Sequence, residues 1–296
     1  MTTSLDDQYA VVVAEAQLYE STWWALPHNE MAARRLRRLP ALRTALRVRA
    51  ENGYPITSRD VFADGLTWDD ERAGFHGDLL DNLVGKARET GLPPHVYFTL
   101  GSPGSGKTHT LRQVAIRHAR AAAGRTLRLR VSDPDAVREA LPEYAEGKGA
   151  GILQDEVVVV AYGEQGYPAG GGMQQRVHDA APGSSILLVD VVGSPTGLPP
   201  TVVALADDGW SVFLLLADCP PDVCLQRVKQ RAVDSGRIVD LDYVRNVKNR
   251  PTRALRAGVQ TGRVTGWARI DTQPRRSRIL ESDRLETFGA VGDRAI

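Results

Sequence analysis

Cysteine is nearly absent: Cys219 and Cys224 are the only two in 296 residues. Two cysteines cannot build a disulfide framework or, by themselves, a structural zinc site, so a reducing, cytoplasmic location is expected. The pair reads as two small apolar side chains, with neither metal nor redox use expected of it. Long apolar runs are also missing, and none approaches the roughly 18 residues of a membrane-spanning helix. The opening stretch, MTTSLDDQYAVVVAEAQLYE, has no basic segment leading into an apolar one, so no secretory signal is expected. Nor is either sign of charge in excess, because 37 Lys and Arg face 36 Asp and Glu for a net charge of +1. That balance gives no whole-chain argument for nucleic acid or an anionic membrane as partner. What is present, 42% hydrophobic and 25% charged residues, is the composition of a chain that packs a core.

Residues 1 to about 50 read as helix. Met31 to Ala50 is the most basic stretch, with Arg34, Arg35, Arg37, Arg38, Arg43, Arg47 and Arg49. Leu36, Leu39, Leu42 and Leu46 recur at helical spacing and are expected to share a core-facing side, with the arginines solvated opposite. Pro40 marks an interruption or a junction between two helices. Thr67 to Leu92 reads as a further helix with Thr67 as N-cap, ended by Gly91, Pro93 and Pro94. From Val96 onward strand and helix signals alternate, which predicts an α/β fold with a parallel sheet covered on both faces. Strands are expected at Val96–Leu100, Leu127–Val131, Ile186–Val189, Val212–Leu216 and Trp267–Ile270. Gly163 to Gly172 is expected to be a loop, and no internal repeat is present. The expected organisation is a helical N-terminal extension (1–94), an α/β core (95–272) and a polar tail (273–296).

The strongest local signal is Gly101-Ser102-Pro103-Gly104-Ser105-Gly106-Lys107-Thr108, directly after the first strand and before a helix-compatible segment, Thr110 to Ala123. This is a complete Walker A pattern in its required strand–loop–helix context. Glycines let the backbone wrap phosphate oxygens, and the helix start adds a partial positive charge at the same point. Lys107 is expected to reach the β- and γ-phosphates of ATP or GTP, and the Thr108 hydroxyl to ligate Mg²⁺. Asp190, closing the apolar strand Ile186–Val189, is expected to help hold the metal.

Two further constellations point to phosphoryl transfer rather than to a switch or motor. The second strand ends in Ser132-Asp133-Pro134-Asp135, where Asp133 suits a helix cap, Pro134 the first helical position and Asp135 a general base. After the fourth strand, Arg227 and Arg231 lie four apart on one helix, and Gly236-Arg237 follows. Cations brought to a γ-phosphate stabilise the charge that spreads there during transfer, which makes Arg227 and Arg237 the catalytic candidates. An Asn-Lys-x-Asp guanine-reading segment is missing.

Together these motifs resemble the zeta-toxin family of P-loop kinases, and also chloramphenicol phosphotransferase. The resemblance rests on Thr67-Trp68-Asp69-Asp70-Glu71-Arg72 before His76, GSPGSGKT, SDPDAVREALPEY, LLVD, and Arg227 with Gly236-Arg237. It spans roughly Leu66 to Asn249. It implies ATP- or GTP-dependent phosphorylation of a small-molecule hydroxyl, a nucleotide sugar in zeta toxins, and it admits an antitoxin or other protein partner. Carried over residue by residue, Lys107 and Thr108 hold nucleotide and Mg²⁺, Asp135 is the base, Asp190 the strand-end acid, and Arg227 and Arg237 the transition-state arginines. The chain departs from the family at Asp190-Val191-Val192-Gly193-Ser194-Pro195, where two valines stand in place of polar sugar contacts. An acceptor other than UDP-N-acetylglucosamine is therefore expected. Two alternatives remain at this level: an RNA or nucleotide kinase using Arg34–Arg49, and a nucleotide-dependent regulatory protein without transfer activity.

Overall fold

The computed structural model describes residues 3–26, 29–65, 67–84, 94–123, 129–163, 171–179, 186–189, 193–273 and 278–283. The chain divides into two compact units. One comprises Met1–Leu83, Asp135–Val160 and Val228–Val239; the other comprises Val84–Pro134, Ala161–Arg227 and Asp240–Ile296.

The first unit is mainly helical. Its N-terminal helices run Leu5–Thr22, Glu30–Arg38, Pro40–Glu51 and Ser58–Phe62. Local chemistry starts each one: Ser4 accepts from the Asp7 N–H, Asn29 from that of Ala32, and Thr57 and Asp60 form a reciprocal capping box. Pro40 opens its helix at the first position, so it is a junction. That break splits the expected leucine face. Leu36 and Leu46 are buried on separate helices, and Leu39 at the junction is 39% exposed. Four arginines of the basic stretch pair with acids of the same unit. Arg34 and Arg38 both bond Glu71, Arg35 bridges Asp64 and Asp69, and Arg49 reaches Asp60.

Thr67 does not begin a helix as expected. Thr67–Trp68 is a short strand (β2) paired antiparallel with Ala63–Asp64 (β1), and the helix spans Asp70–Val84. Asp69 supplies the cap, accepting from the Arg72 N–H at 2.9 Å. The expected helix end, within 85–93, lies outside the described residues. Within this unit Arg72 is fully buried and forks onto two buried carboxylates, Glu143 at 2.7 Å and Glu156 at 2.6 Å. His76 Nε2 closes on the same Glu156 oxygen at 2.6 Å. Burial alone would raise the Glu156 pKa, but the His76 hydrogen bond and the Arg72 charge reverse that and hold it at about 2.

The second unit is built on a six-stranded sheet: β3 (His95–Leu100), β4 (Arg130–Ser132), β5 (Ile186–Val189), β6 (Ser211–Asp218), β7 (Gly266–Asp271) and β8 (Arg278–Asp283), in the order β4-β5-β3-β6-β7-β8. All pairings are parallel except β7–β8. The expected fold class holds. The register sets Val96 opposite Ile186 on one side and Val212 on the other, so β3 lies at the sheet centre. Tyr97, Phe213, Leu215 and Ile270 pack with Leu111, Val114 and Ala115 on one face. On the opposite face a Cβ at Gly258, in the helix Arg250–Gln260, would come within 2.7 Å of the Leu214 side chain. Helices therefore cover both faces, as continuous apolar strands such as VFLLLA require.

Two strand details differ from expectation. β4 is Arg130–Ser132, and residues 124–128 lie outside the described ones. Part of the expected polar tail is the edge strand β8, whose outer residues are mostly exposed, so no apolar alternation announces it. Residues 164–170 of the expected loop, and 274–277 and 284–296 of the expected tail, lie outside the described residues.

Candidate functional site

The Gly101–Thr108 loop leaves the C-terminal end of central β3 at Leu100. Parallel strands deliver their C-terminal ends to one edge, so β6 and β7 end beside it. Gly106 (φ 89°) closes the loop in a left-handed conformation, and the helical segment starts at Lys107 with one π-type turn before Arg112–Ala123. The helix thus begins three residues earlier than expected. A side chain at Gly101 would collide with Ser105 Oγ and crowd Lys107 Cγ at 3.0 Å and Ala217 Cβ at 3.1 Å, so the turn demands glycine. Lys107 donates its Nζ to the carbonyls of Gly101 (2.6 Å) and Ser102 (3.1 Å), and Thr108 is exposed.

The loop is braced from the ends of the neighbouring elements. Thr272, just after β7, donates its hydroxyl to the Ser105 carbonyl. Arg227 donates to the Thr272 carbonyl at 2.7 Å, the Gly104 carbonyl at 3.3 Å and the Cys219 sulfur at 3.5 Å. A cavity of about 470 Å³ opens at the same edge, lined by Ser102 of the loop together with Cys219, Lys248, Asn249, Asp271 and Gln273 among others.

These residues fit a nucleotide. Ser105 Oγ is buried with no hydrogen-bond partner, the glycine turn is a cradle that a Cβ would fill, and Ser102 joins it to a polar-lined cavity. For Mg²⁺ the described donor is the exposed Thr108 hydroxyl. That suits an ion that keeps waters and takes phosphate oxygens as its other ligands. Among the described residues no group of three or more His, Cys, Asp and Glu side chains forms a metal cage. Asp190, with Val191 and Val192, lies outside the described residues.

In the first unit Asp135 stands in the first turn of the helix Pro134–Ala140, with Pro134 at the helix start. Arg237 grips both of its carboxylate oxygens, Arg138 donates to one at 2.7 Å, and Arg231 lies 3.7 Å from the other. Burial pushes the Asp135 carboxyl up, but Arg237 first, then Arg138 and Arg231, outweigh it and leave it below its usual value. Three guanidiniums around one carboxylate leave a net positive cluster, a surrounding suited to an anionic group.

Backbone strain holds Arg237 in place. Ala145 (φ 45°), Glu146 (φ 56°) and Gly147 (φ 104°) are left-handed in succession. A side chain at Gly147 would meet the Gly236 backbone at 2.5 Å, and one at Gly236 (φ 70°) would collide with the Glu146 carbonyl. The two segments touch backbone to backbone, which fixes the residue that follows Gly236. Non-glycine residues in this region are costly and persist where the surrounding structure over-determines them.

Of the expected catalytic residues, the structure joins Asp135 with Arg237 in one cluster and sets Arg227 against the phosphate loop, while Arg231 also belongs to the Asp135 cluster. Arg138 was not singled out, although its spacing three after Asp135 on a helix puts it on the same face. Thr272 and the strained Ala145–Gly147 segment carried no sequence signal.

Solved structures with TM-scores above 0.5 agree on the fold. Among solved structures, a native AvrRxo1-ORF1:-ORF2 complex aligns at a TM-score of 0.52 and 16% identity, covering 73% of this chain and 68% of that one. The AvrRxo1-ORF1:-ORF2 complex with ATP aligns at 0.51 and 15%, with the same coverages. The PezAT chromosomal toxin–antitoxin system of Streptococcus pneumoniae aligns at 0.47 and 15%, covering 75% and 84%. No curated protein matches the chain. The family model for zeta toxins matches residues 81–265, most of the chain and all of the phosphate loop, and the protein belongs to the zeta-toxin family.

Proposed function

We propose that the protein is a kinase that transfers the γ-phosphate of ATP or GTP to a hydroxyl of a small molecule. The observation that carries this reading is Asp135, a partly buried carboxylate held by three arginines, in a chain that also bears a complete phosphate-loop sequence. Family membership supports nucleotide-dependent phosphoryl transfer as the class of reaction.

The chain's residues divide the work by chemistry. The loop Gly101–Thr108 binds the nucleotide phosphates through its backbone, and Lys107 exchanges its carbonyl partners for phosphate oxygens. Arg227 and Thr272 keep the loop closed by occupying the Gly104, Ser105 and Thr272 carbonyls. Thr108 and Asp190 would hold Mg²⁺, which would supply positive charge to the nucleotide phosphates. Asp135 accepts a hydrogen bond from the acceptor hydroxyl and takes its proton as the O–P bond forms and the bond to the leaving diphosphate oxygen breaks. A carboxylate whose pKa is lowered is a weak base, so its main contribution is to orient the hydroxyl. That suffices for a loose transition state with little nucleophile charge. Arg237 and Arg231 carry positive charge for the phosphoryl oxygens.

The acceptor is a hydroxyl-bearing metabolite, with the Val191-Val192 pair favouring one that does not need polar sugar contacts. The pairing of Arg34, Arg35, Arg38 and Arg49 with acids of their own unit supports a small acceptor over RNA. Family membership also supports an antitoxin-like protein partner. The test is incubation with γ-labelled ATP and a metabolite panel, scored by mass spectrometry for one added phosphate that Asp135→Asn abolishes.

A further inference from the structure

Cys219 follows β6 directly, and Cys224 sits in the first turns of the helix Pro221–Ser235, so the chain folds the two thiols back on each other across Pro220 and Pro221. The Cys224 thiol donates to the Cys219 carbonyl at 3.8 Å, which turns it back toward Cys219. Arg227 donates one N–H group to that sulfur at 3.5 Å and, through the same nitrogen, to the Gly104 carbonyl of the phosphate loop at 3.3 Å. Both cysteines are reduced, and both line the cavity of about 470 Å³ that also contains Ser102. Cys219 is only half-buried there, within reach of a small reagent, whereas Cys224 is buried behind it.

The environment separates the two thiols by role. The Cys224 hydrogen bond and then the Arg227 charge hold Cys219 down, at about 7, against burial. The same hydrogen bond and burial raise Cys224, so it keeps its proton. A reactive, accessible sulfur beside a protonated, buried one is the arrangement of an attacking and a resolving thiol.

We propose that Cys219 and Cys224 form a redox pair that low-molecular-weight disulfides oxidise to an intrachain disulfide, and that this oxidation weakens nucleotide binding by removing the sulfur acceptor that holds Arg227 beside Gly104. The control rests on the nucleotide-binding reading of the loop. In the first step the Cys219 thiolate attacks one sulfur of the reagent RS–SR, forming a mixed disulfide and releasing RS⁻. In the second, Cys224 gives its proton to solvent base and its sulfur attacks Cys219 Sγ, releasing the second RS⁻. The two protein thiols are oxidised and one reagent disulfide is reduced to two thiols. The disulfide sulfur carries no charge and accepts poorly, so Arg227 loses its charge-assisted bond there. Loss of one such bond corresponds to about tenfold in affinity.

The experiment treats the full chain with oxidised glutathione and reads intact mass and binding of a fluorescent ATP analogue. The expected wild-type product has lost two hydrogens, carries no glutathione and binds the analogue about tenfold more weakly, with dithiothreitol restoring both. Cys224→Ser is expected to stop at a glutathione adduct on Cys219, and Cys219→Ser to remain unmodified. A stable wild-type adduct, no reaction, or a disulfide form that binds like the reduced form overturns the proposal. If the reduced protein binds no nucleotide at all, the kinase reading falls and the control falls with it. The mass result then still decides whether the thiols pair.

Discussion

At Asp135 three guanidiniums compete for one carboxylate, and losing the carboxylate has a different signature from losing Arg237. Asp135→Asn keeps the shape and removes the proton acceptor. Turnover is expected to fall on the order of 10² or more with nucleotide binding kept, and Asp133→Asn to cost much less. A larger loss from Asp133→Asn exchanges the roles of cap and base. Arg237→Ala removes the largest influence holding the Asp135 pKa down, so that pKa rises. The carboxylate form then requires higher pH, and the acid limb of the kcat profile moves upward along with a fall in kcat. An unmoved limb means that Arg237 does not govern Asp135 in the working enzyme. These two residues were legible because a carboxylate follows the second strand and an arginine follows Gly236 in the sequence, the order that the family resemblance carries. Arg138 belongs to the same cluster but looks like any helical arginine in sequence. Its role is visible only when its contacts with Asp135 and Gln154, at 2.7 and 2.6 Å, are seen.

The turn that carries Arg237 depends on two segments meeting without side chains between them. Gly236→Ala has both a left-handed φ of 70° and a collision with the Glu146 carbonyl to relieve, so the segment must shift. The expected result is a fall in kcat with nucleotide affinity retained, measured by turnover beside analogue binding; wild-type turnover would show the contact to be incidental. The buried fork of Arg72 onto Glu143 and Glu156 makes a different claim about stability. Arg72→Ala takes the guanidinium from both Glu143 and Glu156, leaving only His76 on Glu156, and should destabilise the protein by about 3–5 kcal/mol in denaturant titration. A change below about 1 kcal/mol would mean that the carboxylates protonate or hydrate cheaply. Elements with one dominant cause were readable from sequence, such as the apolar strand Val212–Leu216 or the proline junction at Pro40. β8 was not, since Arg278–Asp283 is polar and pairs only along one edge. Nor was the true start of the Asp70–Val84 helix, where β2 pairing with Ala63–Asp64 takes Thr67 away from capping.

Over the whole chain, the phosphate loop and sheet were written in local pattern, whereas the grouping of distant segments was not. The first unit gathers Asp135–Val160 and Val228–Val239 around the N-terminal helices. Its ties are scattered polar contacts, such as Tyr9 to the Val239 carbonyl, Tyr19 to that of Glu143, and Lys229 to Asp6. No periodicity encodes contacts of that kind. The same holds for the near-neutral total charge, which conceals a basic N-terminal stretch, four of whose arginines pair with acids of its own unit. The central claim is phosphoryl transfer to a small hydroxyl compound, and one measurement tests it most directly. Purified protein, γ-labelled ATP, Mg²⁺ and a metabolite panel that includes UDP-N-acetylglucosamine are incubated together, with Lys107→Ala and Asp135→Asn in parallel. The account predicts label in one hydroxyl-bearing product, little in UDP-N-acetylglucosamine, and none with either variant. Label released only as inorganic phosphate, or a product formed equally by Asp135→Asn, would contradict it.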